Sequence, residues 1–166
     1  TITGAWGISP RFGFLAKIVS GSLKVVVAFQ GIQGAYSEQA LRQHFGESVE
    51  VKPCPTLSDL FAAIQSRQVT YAIMPIENAL AGAVSQAYEL LMDYDLLIQA
   101  EVYLHVHHAL LAPPGRTIED LHSVRSHPQA LAQCDQFLRR NNLKPIPWYD
   151  TAGSAYDLSV EQADGV

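Results

Sequence analysis

Apolar and polar positions follow two alternating periods along the chain, so short apolar runs give way to stretches with helical spacing. Lys24–Gln30 is a β-branched apolar run and predicts a buried strand. Ser37–Phe45 has helical spacing and stops at Gly46, which is typical of a glycine that ends a helix. Val49–Lys52 predicts a second short strand, which we expect to stop at Pro53.

The alternation continues through the next sixty residues or so. Thr56 is expected to cap a helix, with Asp59 three residues later. Tyr71–Met74 predicts another buried strand, Leu80–Met92 a helix, and Leu96–Leu111 a strand-rich stretch. This order of strands and helices indicates an α/β fold with largely parallel sheets.

A second block with the same alternation follows the turn at 113–115. Its predicted elements are a strand at Ser123–Ser126, a helix from Pro128 to about Asn141, an edge strand at Lys144–Trp148, and a helix capped by Thr151 that runs to about Gln162. The two blocks predict a first lobe over residues 24–104 and a second lobe over residues 105–166. Ligands of α/β proteins bind at the carboxyl ends of parallel strands, so we expect a cleft between the lobes.

Residues 1–23 have no initiator Met, no convincing signal-peptide cleavage site, and a lysine that interrupts their apolar run. We interpret this segment as an N-terminal extension of unknown role and exclude it from the predicted fold.

Composition and charge argue against several classes of function, including nucleic-acid binding and membrane association. The chain has 166 residues, a hydrophobic content of 48% and a net charge of −5, which argues against nucleic-acid binding, since that needs a basic face. No apolar run approaches the roughly 20 residues of a membrane span, so no membrane association is expected. Cys54 and Cys134 are the only cysteines. Two thiols make no disulfide framework, which favours a reducing, cytoplasmic location.

Four segments place a predicted strand before a turn and a helix, namely 31–40 (GIQGAYSEQA), 75–84 (PIENALAGAV), 122–140 and 150–155 (DTAGSA). Helix starts offer unpaired N–H groups and a partial positive charge, which suit a carboxylate or a phosphate. A dinucleotide would need G-x-G-x-x-G and an acidic residue after the next strand, and neither is present. The pattern therefore favours a small organic anion.

Several residues in these segments have a structural and a functional interpretation. Glu77 is either a general acid or base, or only a partner of a helix dipole. His127 is either a site residue or a packed side chain. Asp150 and Thr151 either cap a helix or present a hydroxyl and amides to a ligand.

The histidines at 105, 107 and 108 suggest metal ligands, but no acidic residue or cysteine at ligand spacing supports them. We expect no metal there. Cys134 lies inside a predicted helix, so we do not expect it to be a nucleophile.

Taken in order, the segments VAFQGIQGAYSEQA, MPIENALAGAV, LLAPPG, SHPQALAQC and DTAGSA resemble the prephenate dehydratase family. Arogenate dehydratases share the same segments. The resemblance extends from about Val25 to the end of the chain. It implies a two-lobed fold like the type II periplasmic binding proteins, with the active site between the lobes and with no metal or organic cofactor.

The resemblance also implies a carbon–oxygen lyase that converts prephenate to phenylpyruvate in phenylalanine biosynthesis. We expect a small-molecule substrate and a homo-oligomer. Carried over residue by residue, the catalytic candidates are Glu77, Asn78 and Thr151. The substrate-binding candidates are Gly34, Ala35, Tyr36, Ser126, His127, Gln129, Ala130 and Ala152.

Two departures from the family pattern bear on activity. Ala79 stands where the family usually has Ser, and no Thr-Arg pair matches the Thr-Arg-Phe motif found downstream of DTAGSA. We therefore expect a truncated catalytic domain, without the family's ACT domain and with little dehydratase activity. Apolar surface along Val25–Phe29 or Ile73–Met74 should then be exposed and promote self-association. The alternatives are an arogenate dehydratase or a module that binds an aromatic or keto acid without turnover.

Overall fold

The structure, a computed structural model, describes residues 2–3, 11–16, 25–78 and 82–161. Its elements in chain order are β1 (Ile2–Thr3), β2 (Arg11–Ala16), β3 (Val26–Gln30), α1 (Tyr36–Phe45), β4 (Glu50–Cys54), α2 (Leu57–Gln65), β5 (Tyr71–Asn78), β6 (Gly82–Ala83), α3 (Ser85–Asp93), β7 (Leu97–Tyr103), β8 (Ala109–Leu110), a 3-10 turn (Ile118–Asp120), β9 (Ser123–Ser126), α4 (Pro128–Gln133), α5 (Asp135–Arg140), β10 (Lys144–Pro147) and α6 (Thr151–Glu161).

The chain divides into two compact units, with the boundary between Val106 and His107. We call the unit that holds β2–β7 and α1–α3 the first unit. The second unit holds β1, β8–β10 and α4–α6. None of the helices in the described ranges is long and apolar enough to cross a bilayer.

The first unit is a mixed sheet in the order β4-β3-β5-β2-β7, with β6 paired to β5. Successive residues of β3 point to opposite faces, and both faces are covered. Phe29 packs with Leu41 of α1 in one apolar cluster, and Ala28 packs with Phe61 of α2 in another. A strand buried on both faces needs a continuous apolar run, which explains why this strand was visible in the sequence.

β2 is the main correction to the expected fold, because it lies inside the segment set aside as an extension. It runs antiparallel to both neighbours, β5 and β7, so the sheet is less parallel than predicted. Phe12 is 3% exposed, and a Cβ at Gly13 would overlap the Ile76 side chain. Phe12 and Gly13 of β2 therefore belong to the core of the first unit.

The presence of β2 also overturns the expected exposure of the sheet. Val27, Phe29, Ile73 and Met74 are fully buried, because they belong to the two apolar clusters that α1 and α2 form with the sheet. β2 pairs with the edge of β5 that faces away from β3. The predicted apolar surface is limited here to Val25, which is 41% exposed. Self-association driven by an open edge of β5 loses its physical basis.

Two element boundaries in the first unit differ from the prediction. β4 continues through Pro53 to Cys54, because β4 is an end strand paired only with β3 and a missing N–H on its open side costs nothing. β5 continues through Pro75 to Asn78. The predicted helix over 80–92 begins instead at Ser85, and the prediction for residues 79–81 lies outside the described residues.

The second unit is built on a parallel pair of strands, β9 and β10. Its core includes Leu121, Leu131, Leu138 and Leu143. The single helix predicted from Pro128 to about Asn141 is interrupted at Cys134, where the backbone leaves helical geometry (φ −97°, ψ 4°) between α4 and α5. A separate antiparallel pair joins β1 to β8.

Candidate functional site

In the first unit the candidate residues gather at the carboxyl ends of three parallel strands. β3 pairs in parallel with both β4 and β5, so the three strands run towards one edge of the sheet. The turn that carries Gly34, Ala35 and Tyr36 leaves β3 at this edge. Glu77 and Asn78 end β5 beyond its last pairing with β3, which is Phe29 with Ile73. This edge is where ligands of parallel sheets bind.

The turn between β3 and α1 is held by backbone hydrogen bonds. The Gly31 N–H donates to the Cys54 carbonyl at 2.8 Å, and the Ala35 N–H donates to the Ile32 carbonyl at 3.0 Å. Gly31 and Gly34 have φ values of 116° and 87°, where a side chain would be strained. The two glycines therefore permit the tight turn that the sequence suggested.

A buried carboxylate, which we did not predict, fixes the same turn. Glu38 is 6% exposed, and its Oε2 accepts the Gly34 N–H at 2.8 Å. Its Oε1 accepts from Arg42 Nε at 3.0 Å and from the Arg42 terminal nitrogen at 2.7 Å. The Gly34 amide, a candidate ligand donor, is thus already bonded within the protein. The signal available in the sequence was the Glu–Arg spacing of four residues on one helix.

Glu77 and Asn78 do not lie at a helix start, as we had expected. They are strand residues, paired with Ala83 and Gly82 of β6 in a hairpin, and α3 begins only at Ser85. The interpretation of Glu77 as a helix-dipole partner is therefore wrong. On its other side Glu77 is paired with Arg11 of β2, at a register shift. Its role as a general acid or base stays a prediction.

In the second unit the candidates also share one edge. β9 and β10 are parallel, with Ser126 opposite Pro147, and the Trp148 N–H donates to the Ser126 carbonyl at 2.8 Å. α4 follows the end of β9, and α6 follows the end of β10. The structure therefore places Ser126 and Thr151 beside the same strand ends. That their side chains face a common cleft stays a prediction.

The start of α4 is capped by a histidine. His127 Nδ1 accepts the Gln129 N–H at 3.2 Å, so this nitrogen carries no proton in the hydrogen bond. The imidazole is exposed and Ala130 is buried. The Gln129 amide is therefore satisfied by the protein, and His127 has a structural role as the cap whatever its role towards a ligand.

The start of α6 is capped by Asp150, so the prediction that Thr151 caps this helix is wrong. Asp150 Oδ1 accepts the Gly153 N–H at 2.8 Å, and the Ser154 hydroxyl donates to the Asp150 carbonyl at 2.7 Å. Thr151 is instead the first helical residue. In the described part of the chain no hydrogen bond involves its hydroxyl. Thr151 and Ala152 are half-buried.

The histidines at 105, 107 and 108 were expected to bind no metal, and Cys134 was not expected to be a nucleophile. Among the described residues no three His, Cys, Asp or Glu side chains are grouped as metal ligands. His108 Nε2 lies 2.6 Å from Gln133 Oε1. Burial raises the pKa of the Cys54 thiol and of the Cys134 thiol, so both are weak nucleophiles at neutral pH.

Comparison with known proteins identifies the family. The sequence profile described as "Prephenate dehydratase" matches residues 27–166. The chain is 43% identical over 147 residues to arogenate dehydratase/prephenate dehydratase 2, chloroplastic, of Arabidopsis thaliana, an alignment that covers 89% of this chain and 38% of that protein. The chain therefore belongs to the prephenate dehydratase family, and it spans less than half the length of that relative.

Solved structures agree with this assignment. Prephenate dehydratase from Arthrobacter aurescens, in complex with L-Phe, superposes with a TM-score of 0.68 at 27% identity, over 81% of this chain and 46% of that one. A structure described as one of a novel type of quorum quenching acylases gives a TM-score of 0.75 at 34% identity, over 84% of this chain and 50% of that one. The predicted α/β fold is confirmed.

Proposed function

We propose that this chain carries the catalytic site of a dehydratase that converts prephenate to phenylpyruvate, as part of phenylalanine biosynthesis. The observation that carries the proposal is the extent of the family match, residues 27–166. The matched residues include Glu77, at the carboxyl ends of the parallel strands of the first unit, and Thr151, which follows the end of β10 in the second unit. All of the candidate residues taken from the sequence lie within it.

The reaction defines what the site must do. The bond between the ring and its carboxylate breaks, and CO₂ leaves while its electron pair enters the ring. The ring C–O bond breaks, and the hydroxyl group takes up a proton and leaves as water. Formation of the aromatic ring drives the step, so the protein must chiefly hold two carboxylates in place and supply one proton.

We infer a division of these tasks among the candidate residues. The Thr151 hydroxyl has no protein partner in the described ranges and lies in the first turn of α6. Glu77 lies next to the end of β5, before Asn78 and opposite Ala83 of β6. We assign proton delivery to one of these two groups and orientation of the leaving hydroxyl to Asn78. Amides at helix starts that are not already bonded within the protein hold the carboxylates.

Substrate choice between prephenate and arogenate is part of the proposal. The two differ at one side chain, which carries a keto acid in prephenate and an amino acid in arogenate. The Arabidopsis relative has both activities in its name. We take prephenate as the main substrate and arogenate as the alternative. A homo-oligomer and a cytoplasmic location are further expectations of this proposal.

A second candidate function is hydrolysis of an acyl group, which the likeness to the quorum quenching acylase favours. A binding module without turnover is the third, because Ala79 stands in place of the usual Ser. An acylase would release a carboxylic acid from an acylated substrate and would leave prephenate unchanged. A binding module would bind without producing either product.

The direct experiment incubates residues 1–166 with prephenate and, separately, with arogenate. Phenylpyruvate and phenylalanine are measured above a protein-free background. We expect a slow but measurable rate, because the family's Thr-Arg-Phe threonine has no counterpart in this chain. Glu77→Gln and Thr151→Ala should each lower the rate by about a hundredfold or more. Glu89→Gln, on the exposed face of α3, is the control and should leave the rate unchanged.

Formation of neither product above background would contradict the proposal. Release of acid from an acylated substrate by the same preparation would support the acylase instead.

A further inference from the structure

The link between β10 and α6 in the second unit carries an aromatic residue that contacts three segments of the chain. Trp148 comes directly after β10, and its backbone N–H donates to the Ser126 carbonyl at 2.8 Å. Its indole Nε1–H donates to Asp157 Oδ2, also at 2.8 Å. The guanidinium carbon of Arg125 lies 4.7 Å from the centre of its ring. Trp148 therefore joins the end of β9, the end of β10 and the second turn of α6.

The stack of Arg125 on Trp148 lies apart from the leucine core of the second unit. Successive residues of a strand point to opposite faces. Val124 packs in the apolar cluster with Leu131 of α4 and Leu138 of α5, so Arg125 points to the other face of β9, where it meets the indole ring. A change in the contacts of Trp148 should therefore leave the leucine core intact.

The charges on either side of the indole suit its electron distribution. A cation is attracted to the negative face of an aromatic ring, which is where Arg125 lies. The ring N–H is a donor that needs an acceptor once it is half-buried, and the carboxylate of Asp157 supplies one. The indole of Trp148 is thus held in one orientation by a cation on its face and an anion at its edge.

A second aromatic side chain reaches the same carboxylate. Tyr149 packs against Gly153 in the first turn of α6, so closely that a Cβ at Gly153 would overlap its ring. Desolvation and then a hydrogen bond with Asp157 raise the pKa of the Tyr149 phenol, so the hydroxyl keeps the proton that it donates. Both residues that lead into α6 are therefore tied to one side chain in the second turn of this helix.

These contacts surround the candidate site residues of the second unit. Asp150, the cap of α6, and Thr151, its first residue, lie between Trp148 and Asp157 along the chain. Ser126 bonds to the backbone of Trp148 itself. The two segments proposed to hold the substrate are thus attached to the same indole, and a shift of about 1 Å in such a segment can cost a hundredfold in rate.

We propose that Asp157 is a positioning residue of the proposed site. By holding the indole of Trp148, its carboxylate fixes the start of α6, and with it Thr151, relative to the Ser126 end of β9. The inference rests on the proposed function and adds to it a residue that acts through Thr151. Once the hydrogen bond is lost, the link between β10 and α6 gains freedom, and the Thr151 hydroxyl loses its fixed direction.

The test compares two substitutions that break this hydrogen bond with one that keeps it, using residues 1–166. Asp157→Ala removes the acceptor and Trp148→Phe removes the donor, whereas Asp157→Asn retains an oxygen that accepts from the indole. Ser159→Ala is the matched control, because Ser159 is an exposed residue of α6 whose hydroxyl donates to the Tyr156 carbonyl at 2.6 Å, within its own helix. The measurements are kcat and KM for prephenate, and hydrogen exchange of the folded chain.

We expect Asp157→Ala and Trp148→Phe each to lower kcat by about tenfold or more, with little change in KM, since a misplaced Thr151 is felt in the transition state. The double variant should be no slower than the slower single variant, because both changes break one interaction. Asp157→Asn and Ser159→Ala should stay within about twofold of the wild type. Exchange should rise over residues 148–157 in the two broken variants and stay level over residues 123–140, a local effect that general destabilisation would not give.

An unchanged kcat in Asp157→Ala and Trp148→Phe would overturn the inference, as would an equal loss in Asp157→Asn, which would assign the effect to charge. If Asp157→Ala fails to fold, Trp148→Phe and Asp157→Asn decide the question.

A wild-type chain that binds phenylpyruvate without turnover would remove the proposed function alone. The affinity for phenylpyruvate, measured by calorimetry, then replaces kcat, and equal affinity in the wild type and both broken variants would overturn the role of Asp157. A wild-type chain with neither turnover nor binding would overturn both.

Discussion

The buried Glu38–Arg42 pair provides a sharp test of how the first-unit site is held in place. Replacing Glu38 with Ala removes both the acceptor of the Gly34 N–H and the ion-pair partner of the Arg42 guanidinium. The chain contains a matched control in the Asp135–Arg139 pair. The control has the same spacing of four residues and the same order of acid before base.

The expected magnitudes differ because the two pairs differ in burial. The side chains of Glu38 and Arg42 are 8% and 24% exposed, whereas those of Asp135 and Arg139 are 55% and 79% exposed. Breaking a fully buried pair costs about 3–5 kcal/mol of unfolding free energy. Arg42 still reaches the Glu47 carbonyl at 2.6 Å, so we expect about 2–3 kcal/mol for Glu38→Ala. Asp135→Ala should cost about 0.3–0.5 kcal/mol.

The assay is urea unfolding of both variants, followed by circular dichroism, together with hydrogen exchange of the peptide over residues 31–45. Glu38→Ala should speed exchange at the turn before α1 and lower substrate affinity, because the turn loses its anchor. Equal losses of unfolding free energy in the two variants, or a loss below about 0.5 kcal/mol for Glu38→Ala, would refute the reasoning from burial.

Three further results are expected. Phe12→Ala should lower the unfolding free energy of the first unit by about 3–5 kcal/mol in urea unfolding. Met92→Ala, at a position 88% exposed, is the control and should change that free energy by no more than about 0.5 kcal/mol. Equal effects of the two substitutions would show that Phe12 is not part of the core. Asp150→Ala should cost about 1 kcal/mol by loss of the α6 cap, and no loss would contradict that cap. Burial raises the pKa values of Cys54 and Cys134, so the folded chain keeps both thiols protonated to a higher pH than the unfolded chain does. The unfolding free energy that these two thiols contribute is therefore present below the ordinary thiol pKa and is lost as the pH rises towards their raised pKa values. Rapid reaction of the native protein with a thiol reagent at pH 7 would contradict the burial of the thiols.

Local signals in the sequence predicted the elements that depend on local chemistry. Gly46 ends α1 with a φ of 85°, Thr56 and Asp59 form the expected capping box, and β9 has the predicted bounds. In each case the deciding interaction joins residues a few positions apart. Such interactions leave a readable pattern in the chain.

Structural elements whose partners lie far away in the sequence were not predicted. β2 belongs to the sheet because β5 and β7 pair with it on both sides, and no local pattern in residues 11–16 records those partners. Pro75 hid the continuation of β5 to Asn78, since a proline in a strand usually marks its end. At the site, Glu38 was not predicted, because it holds a backbone amide and no sequence motif marks a contact of that kind.

Isotope release provides the most direct test of the central claim, that this chain carries a decarboxylating dehydratase site. Prephenate labelled with ¹³C in the ring carboxylate is incubated with residues 1–166, and labelled CO₂ and phenylpyruvate are measured together above a protein-free background. We predict equimolar release of the two products, at a rate that Glu77→Gln and Thr151→Ala each lower by about a hundredfold or more. Labelled prephenate recovered intact, or product formation that both variants retain in full, would contradict the account.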